Sequence, residues 1–292
     1  MFGVCRVLRL IVKSLLVSAI GCFLSSCSPF RVIDLVVSKH GYAVDKNVVY
    51  GHHNNKLDVY QPIGDTKQRA VLVFVYGGSW RSGRPFSGKK EYYRFVGRTF
   101  ALRGYTTVIP DYRVYPEVKF PTFIEDLAQS VKWAHDNLKE REDSKIILIG
   151  HSAGAHITAL LALNSNYLEG VGLSKKSLGG WIGISGPYAF NPLKISYIKN
   201  IFETVEDEVD QARPITFVNS DIAPGFLLHG SNDRIVAPRN STELLKALKA
   251  VGAPISYQSF DLGHFDIVLS LGVANVGDIG VQNAILDFIE NL

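Results

Sequence analysis

From about residue 46 onward, short apolar runs alternate with longer stretches in which apolar residues recur at helical spacing. Asn47–Tyr50 and Lys56–Tyr60 flank a polar turn and predict a hairpin. Ala70–Tyr76 and Lys145–Ile149 read as buried strands, apolar at successive positions rather than at every second one, and Tyr105–Ile109, Trp181–Ser185, Phe226–His229 and Ile255–Phe260 as further strands. Glu91–Arg103, Phe123–Leu138, a stretch from about 153 to 163, Thr242–Ala250 and about 281–291 predict helices, with Gly104 ending one and Pro121 preceding another. Such alternation implies an α/β fold, a mostly parallel sheet with helices on both faces. Residues 186–223 are too long for a plain connection between strands and predict a small cap. No internal repeat interrupts the pattern.

The 292 residues, 47% hydrophobic and 20% charged, suffice for one domain with a full core. Of the formal charge of +4, three positive charges (Arg6, Arg9, Lys13) lie in the first thirteen residues; 4 − 3 leaves +1 and no basic block, which argues against a nucleic-acid partner. These basic residues precede the apolar stretch Ser14–Leu24, too short to span a bilayer comfortably, and together they predict a signal peptide over 1–26. Leu24-Ser25-Ser26-Cys27 resembles a bacterial lipobox, which implies cleavage before Cys27 and lipid on that cysteine. Ala19-Ile20-Gly21-Cys22 is a poorer match. Ser28, rather than aspartate, after the lipidated position implies a cell-envelope protein anchored in the outer membrane and facing the periplasm. On this reading residues 27–45 are anchor and tether, and 46–292 are the domain. Cys5 and Cys22 leave with the signal peptide, so the domain has no thiol for a nucleophile or a metal site.

Candidate chemistry centres on Gly150-His151-Ser152-Ala153-Gly154, between a buried strand and a helix. Glycine two residues either side of a serine fits a nucleophile elbow, a turn so sharp that flanking side chains would collide. Alone the pentapeptide is weak, since about one chain in ten of this length would carry it by chance. Its order among other motifs matters more. Hydrolysis by such a serine needs a base and an acid to orient it, and in the arrangement built on a nucleophile elbow the acid and then the histidine follow the serine in the chain. Asp233, in a loop past the strand ending at His229, is the candidate acid; Asp261 and Asp266 read as turn or cap residues. His264 is the candidate base, because no other histidine follows the acid. His40, His52 and His53 lie far upstream, and no carboxylate cluster supports a metal at the His52–His53 pair. His135 falls on a polar helix face, His156 reads as packed, and His229 as structural. His151 adjoins the serine and is expected to point elsewhere. Backbone donors for an oxyanion are expected from Ala153 and from Gly77-Gly78 after the third strand.

Tyr76-Gly77-Gly78-Ser79-Trp80, Asp111-Tyr112-Arg113, the serine pentapeptide, Ser185-Gly186-Pro187-Tyr188, His229-Gly230-Ser231-Asn232-Asp233 and Gly263-His264 come in this order, and over about 45–291 the chain resembles the α/β-hydrolases. The likeness is to the hormone-sensitive-lipase-like carboxylesterase branch, among its feruloyl-esterase-like, prenylcysteine-methylesterase-like and arylformamidase-like members. One departure is Tyr76, where many relatives carry histidine. The resemblance implies an α/β-hydrolase fold and a serine carboxylesterase acting on small or aromatic acyl esters, with catalytic Ser152, His264 and Asp233, an oxyanion hole of Gly77, Gly78 and Ala153, and no cofactor or metal. Asp111 would brace the site. Tyr76, Trp80 and Tyr188 are candidates for the substrate pocket or for core packing. An arylformamidase-like amidase and a non-catalytic envelope scaffold are the other two readings. The expected partners are a small-molecule ester and, through the lipid, a membrane.

Overall fold

The structure, a computed structural model, describes residues 40–64, 70–83, 88–138, 144–272 and 278–292. The expected signal peptide over 1–26, the lipidation candidate Cys27 and the expected tether up to residue 39 lie outside the described residues. Eight strands form one sheet in the order β1-β2-β4-β3-β5-β6-β7-β8. They are β1 (Tyr42–Tyr50), β2 (Asn55–Pro62), β3 (Ala70–Val75), β4 (Thr106–Pro110), β5 (Lys145–His151), β6 (Leu178–Ile184), β7 (Gly225–Gly230) and β8 (Ile255–Phe260). β1 and β2 pair antiparallel with their neighbours, and the rest of the sheet is parallel.

Every residue of β3 and β7 is buried, and every residue of β5 and β6 but one or two at the start. Side chains alternate between the faces of a strand, so unbroken burial means that both faces are covered. Helices α1 (Arg94–Leu102), α2 (Thr122–Leu138), α3 (Ala153–Leu163), α4 (Arg239–Ala250) and α5 (Ile279–Glu290) follow the strands. α3 is buried along its whole length. The predicted helix over Glu91–Arg103 divides into a 3₁₀ turn, Lys90–Tyr93, and α1.

The edge strands differ from the centre. β1 is half-buried at alternate positions and begins at Tyr42, four residues ahead of the domain start read from the sequence. Tyr42 packs its ring 6.0 Å from that of Tyr60 on β2. Polar Asp45-Lys46-Asn47 hides this strand in the sequence because it forms a bulge: the register shifts after Asp45, Asn47 is left-handed (φ 57°), and its N–H donates to Asp58 Oδ1 at 2.9 Å. A charged, bulged edge also discourages pairing with other chains.

The chain runs from β3 to β4 on one side, then crosses back to place β5 on the other. Loops leaving β3 and β5 therefore diverge at their carboxyl ends and open a crevice, the usual place for chemistry in such sheets. Register puts Val75 opposite Gly150, so the Gly77-Gly78 loop and Ser152 emerge side by side.

Residues 186–223 form five short 3₁₀ turns, not an independent layer. They are fastened to the body: Phe120 N–H donates to Ile201 O at 2.9 Å, Thr204 Oγ1 to Phe120 O at 2.6 Å, and Arg81 to Tyr197 O at 2.5 Å. From α3, His156 Nε2 donates to Ala212 O at 2.8 Å within a wall of Trp80, Phe190 and Phe202. Burial pushes His156 down to about 4. A histidine held below its unfolded value of about 6.5 leaves the unfolded chain binding the extra proton, so stability rises with pH between those values and falls on acidification. His156→Gln keeps a donor and removes the titration. The slope of unfolding free energy near pH 5, from urea titrations at several pH values, is expected to fall by about 1.4 kcal/mol per pH unit.

Candidate active site

Ser152 sits between β5 and α3 with φ 56° and ψ −122°, a conformation that costs a non-glycine residue about 1–3 kcal/mol. Its neighbours explain how the turn closes. A Cβ on Gly150 would lie 2.5 Å from Thr158 Oγ1, and one on Gly154 would strike the Val75 carbonyl and lie 2.6 Å from Tyr76 O. The elbow is thus pressed against the end of β3, and only glycine fits at either side. Ser152 N–H donates to Ile184 O at 2.9 Å, which extends the β5–β6 pairing through the strained residue.

Three side chains meet there. Ser152 Oγ lies 2.9 Å from His264 Nε2, and His264 Nδ1 lies 2.6 Å from Asp233 Oδ2. The carboxylate can only accept, so Nδ1 carries a proton and Nε2 is free to take one from the serine. Asp233 is fully held: its Oδ1 accepts from Ile235 N and Val236 N, both at 2.9 Å, and its Oδ2 is 3.4 Å from His229 Nε2. Burial pushes Asp233 upward, but the hydrogen bonds from His229 and His264 outweigh it and hold the carboxyl well below the usual range. It is ionised at any pH at which the protein works. Backbone bonds from Ser231 N to Phe260 O (2.7 Å) and Asn232 N to Leu262 O (3.1 Å) join its loop to that of His264.

The remaining expectations divide. His229 is structural, as read: Nδ1 lies 2.7 Å from Ser241 Oγ and Nε2 2.9 Å from Val236 O, which steadies the loop of Asp233. Asp261 accepts from Asn232 Nδ2, and Asp266 accepts from Gly263 N, turn roles in both cases. His151 does not point away from the site. Its ring centroid lies 4.9 Å from that of His264, because the sharp turn at Ser152 swings the preceding side chain beneath the base. Gly77 lies directly against the elbow. Glycine is needed there for room, since a Cβ would come within 2.8 Å of Ser152 Cβ and 3.0 Å of His151 O. Gly78 follows on the same loop with a positive φ, and Ala153 opens α3, where amides have no carbonyl of the helix to reach.

All three candidate pocket residues are buried core residues. Tyr188 is fully buried, its ring pressed over Gly183 and Gly186 at the end of β6. Tyr76 is buried in a stack between Tyr112 (4.8 Å) and Tyr93 (5.7 Å). Its hydroxyl donates to Asp111 Oδ1 at 2.9 Å, and its carbonyl accepts from Tyr112 Oη at 2.7 Å. Asp111 in turn lies 3.0 Å from the buried Lys90 ammonium. This network props the Gly77-Gly78 loop from below. Trp80 belongs to the aromatic wall, with its ring stacked on Phe190 at 5.8 Å. His52 and His53 are exposed on the β1–β2 turn and border a cleft of ≈ 340 Å³ that shares no residue with Ser152, Asp233 or His264.

The chain matches the BD-FAE family over residues 57–248. It is 30% identical over 251 residues to a rice (Oryza sativa subsp. japonica) protein named "Probable isoprenylcysteine alpha-carbonyl methylesterase ICMEL1", covering 77% of this chain and 58% of the rice protein. It thus spans somewhat more than half of that relative's length. A kynurenine formamidase of Drosophila melanogaster is 24% identical over 242 residues, 80% of this chain and 78% of that one. Among solved structures, esterase B of Lactobacillus rhamnosis superposes with a TM-score of 0.74 at 18% identity, covering 96% of this chain and 95% of the other, which shows a common α/β-hydrolase fold.

The elbow's tight fit can be measured directly. Gly154→Ala puts a methyl onto two backbone carbonyls that cannot move without shifting β3. It is expected to lower folding stability by about 1–3 kcal/mol, read as a reduced denaturant midpoint with an unchanged slope.

Proposed function

This chain belongs to the BD-FAE family, and from that membership and the site's geometry we propose that it is a serine carboxylesterase. The observation that carries the reading is the continuous hydrogen-bond chain from strained Ser152 through His264 to ionised Asp233, at the crevice beside β3. In the proposed cycle Ser152 Oγ attacks the ester carbonyl carbon as its proton passes to His264 Nε2. The tetrahedral oxyanion takes hydrogen bonds from the Gly78 and Ala153 amides. Collapse breaks the bond to the alcohol, which leaves with the proton from His264. Water, deprotonated by the same imidazole, then cleaves the acyl-serine, releases the acid and restores the serine. Asp233 holds the ring and stabilises the imidazolium without taking its proton. No step calls on a metal or a cofactor.

The substrates proposed are small or aromatic acyl esters. Likeness to a formamidase over most of both chains favours a second reading, in which the same residues cleave an amide. An envelope location, with lipid on Cys27, rests on the leading sequence alone; labelled palmitate incorporated by the wild type and not by Cys27→Ser tests it.

The purified domain is expected to hydrolyse short-chain p-nitrophenyl esters and to react with a fluorophosphonate. Ser152→Ala should lower kcat by at least about 10³-fold, and Asp233→Asn by about 10⁴-fold by trapping the wrong tautomer of His264. Unchanged turnover in Ser152→Ala would sink the reading. Faster cleavage of N-formylkynurenine than of any ester would favour the amidase, and failure to label would favour a binding scaffold.

A further inference from the structure

His151 has no part in the cycle above, yet it lies in the middle of the machinery. It ends β5 almost wholly buried, with Nε2 2.9 Å from the backbone carbonyl oxygen of His264. A carbonyl can only accept, so Nε2 carries the proton and Nδ1 is the bare nitrogen. Burial, with the neighbouring His264 adding to it, pushes His151 down to about 3, so the ring remains neutral and the donor is always present. No partner for Nδ1 occurs among the described residues. That nitrogen would be 3.4 Å from a Cβ on Gly77, so the ring also packs against the oxyanion loop.

What this bond joins is the important point. The loop of His264 is otherwise tied to the loop of Asp233, through Asn232 N to Leu262 O and the side chains of Ser231 and Asn232 on Asp261, or to its own turn through Gly263 and Asp266. Acid and base therefore form one body, carried on β7 and β8, while the serine belongs to another, carried on β5. β6 pairs with both β5 and β7 and joins the two through the sheet; beyond the sheet, and apart from the His264–Ser152 bond itself, the hydrogen bond between these loops among the described residues is the one from His151.

We propose that His151 is a positioning residue for the base: its Nε2–H···O=C bond sets the height of the His264 loop over the Ser152 elbow, so that His264 Nε2 meets Ser152 Oγ. This rests on the serine-hydrolase reading. Loss of the bond frees the acid–base body to shift by a fraction of an ångström, enough to impair proton transfer while leaving the fold and substrate binding in place.

The test compares the full chain with His151→Leu, His151→Asn and His151→Gln. Glutamine places an amide nitrogen near the position of Nε2, whereas asparagine falls short. Leucine and asparagine are expected to lower kcat by about 10²-fold with KM little changed, and glutamine to restore it to within about tenfold of wild type. Unfolding temperatures of the leucine and glutamine variants should be alike, because leucine also removes the unpaired Nδ1. The low-field proton resonance of the short His264–Asp233 bond gives a readout that needs no turnover. It should persist with glutamine and be displaced or broadened with leucine and asparagine. A folded leucine variant with wild-type kcat and an unmoved resonance overturns the proposal, as does glutamine losing as much as asparagine. Should leucine fail to fold, the asparagine–glutamine pair decides. A wild type that hydrolyses nothing overturns the esterase reading, and the resonance comparison still decides the role of His151.

Discussion

Close contact between the end of β3 and the β5–α3 elbow is the constraint on which the site depends. Ser152 holds a backbone conformation that would relax if its surroundings allowed it. They do not, because the elbow is trapped on both sides. β3 and β5 are paired from Ala70–Lys145 to Val75–Gly150, and Ser152 N–H is fastened to β6. With Gly154 against the β3 carbonyls and Gly77 against Ser152 Cβ, the nucleophile and the oxyanion loop can approach only as a unit. The strain is offset by the large core on either face of these central strands, where β3 and most of β5 are wholly shielded from water.

The acid and base depend on a different kind of constraint. His264 follows the edge strand β8, which is only partly buried, so packing alone holds that loop less firmly than the loop after buried β7. Hydrogen bonds take over that task. Two backbone amides and two imidazoles converge on Asp233, fixing both its charge and its direction, and His264 inherits its orientation from that carboxylate. An ionised group at such a depth would be costly without these partners, and with them it is a rigid anchor.

Much of this was legible in the sequence, for reasons that differ element by element. The central strands declared themselves because burial on both faces demands unbroken apolar runs, and Ile255–Phe260 was read to the residue. Ser152, Asp233 and His264 could be picked out by order alone, since each follows a strand and the fold brings strand ends together. β1 was partly hidden because its bulge replaces alternation with Asp45-Lys46-Asn47. For Tyr76 and Tyr188 the sequence leaves pocket and core both open for a shared reason: an aromatic beside a functional loop can line the pocket or support the loop. Only the partners, Asp111 for one and the β6 glycines for the other, tell which. His151 left no signal in one sequence. Its position under His264 follows from a backbone reversal, and residue identity does not report where the preceding side chain is thrown.

Trp80 shows how the insertion enters the chemistry without touching it. The residue follows Gly77-Gly78-Ser79, and both Ser79 and Trp80 are left-handed (φ 55° and 54°), so the loop's path depends on where the indole is held. That hold comes largely from elsewhere: Phe190 and Phe202 belong to residues 186–223, His156 to α3 and Phe123 to α2. A change of volume at Phe190 or Phe202 is therefore transmitted through the indole to the amides of the loop. On the esterase reading, this wall therefore sets the position of an oxyanion donor. Rate is then coupled to packing in the insertion, and a substitution that trims this wall loosens the Gly78 amide.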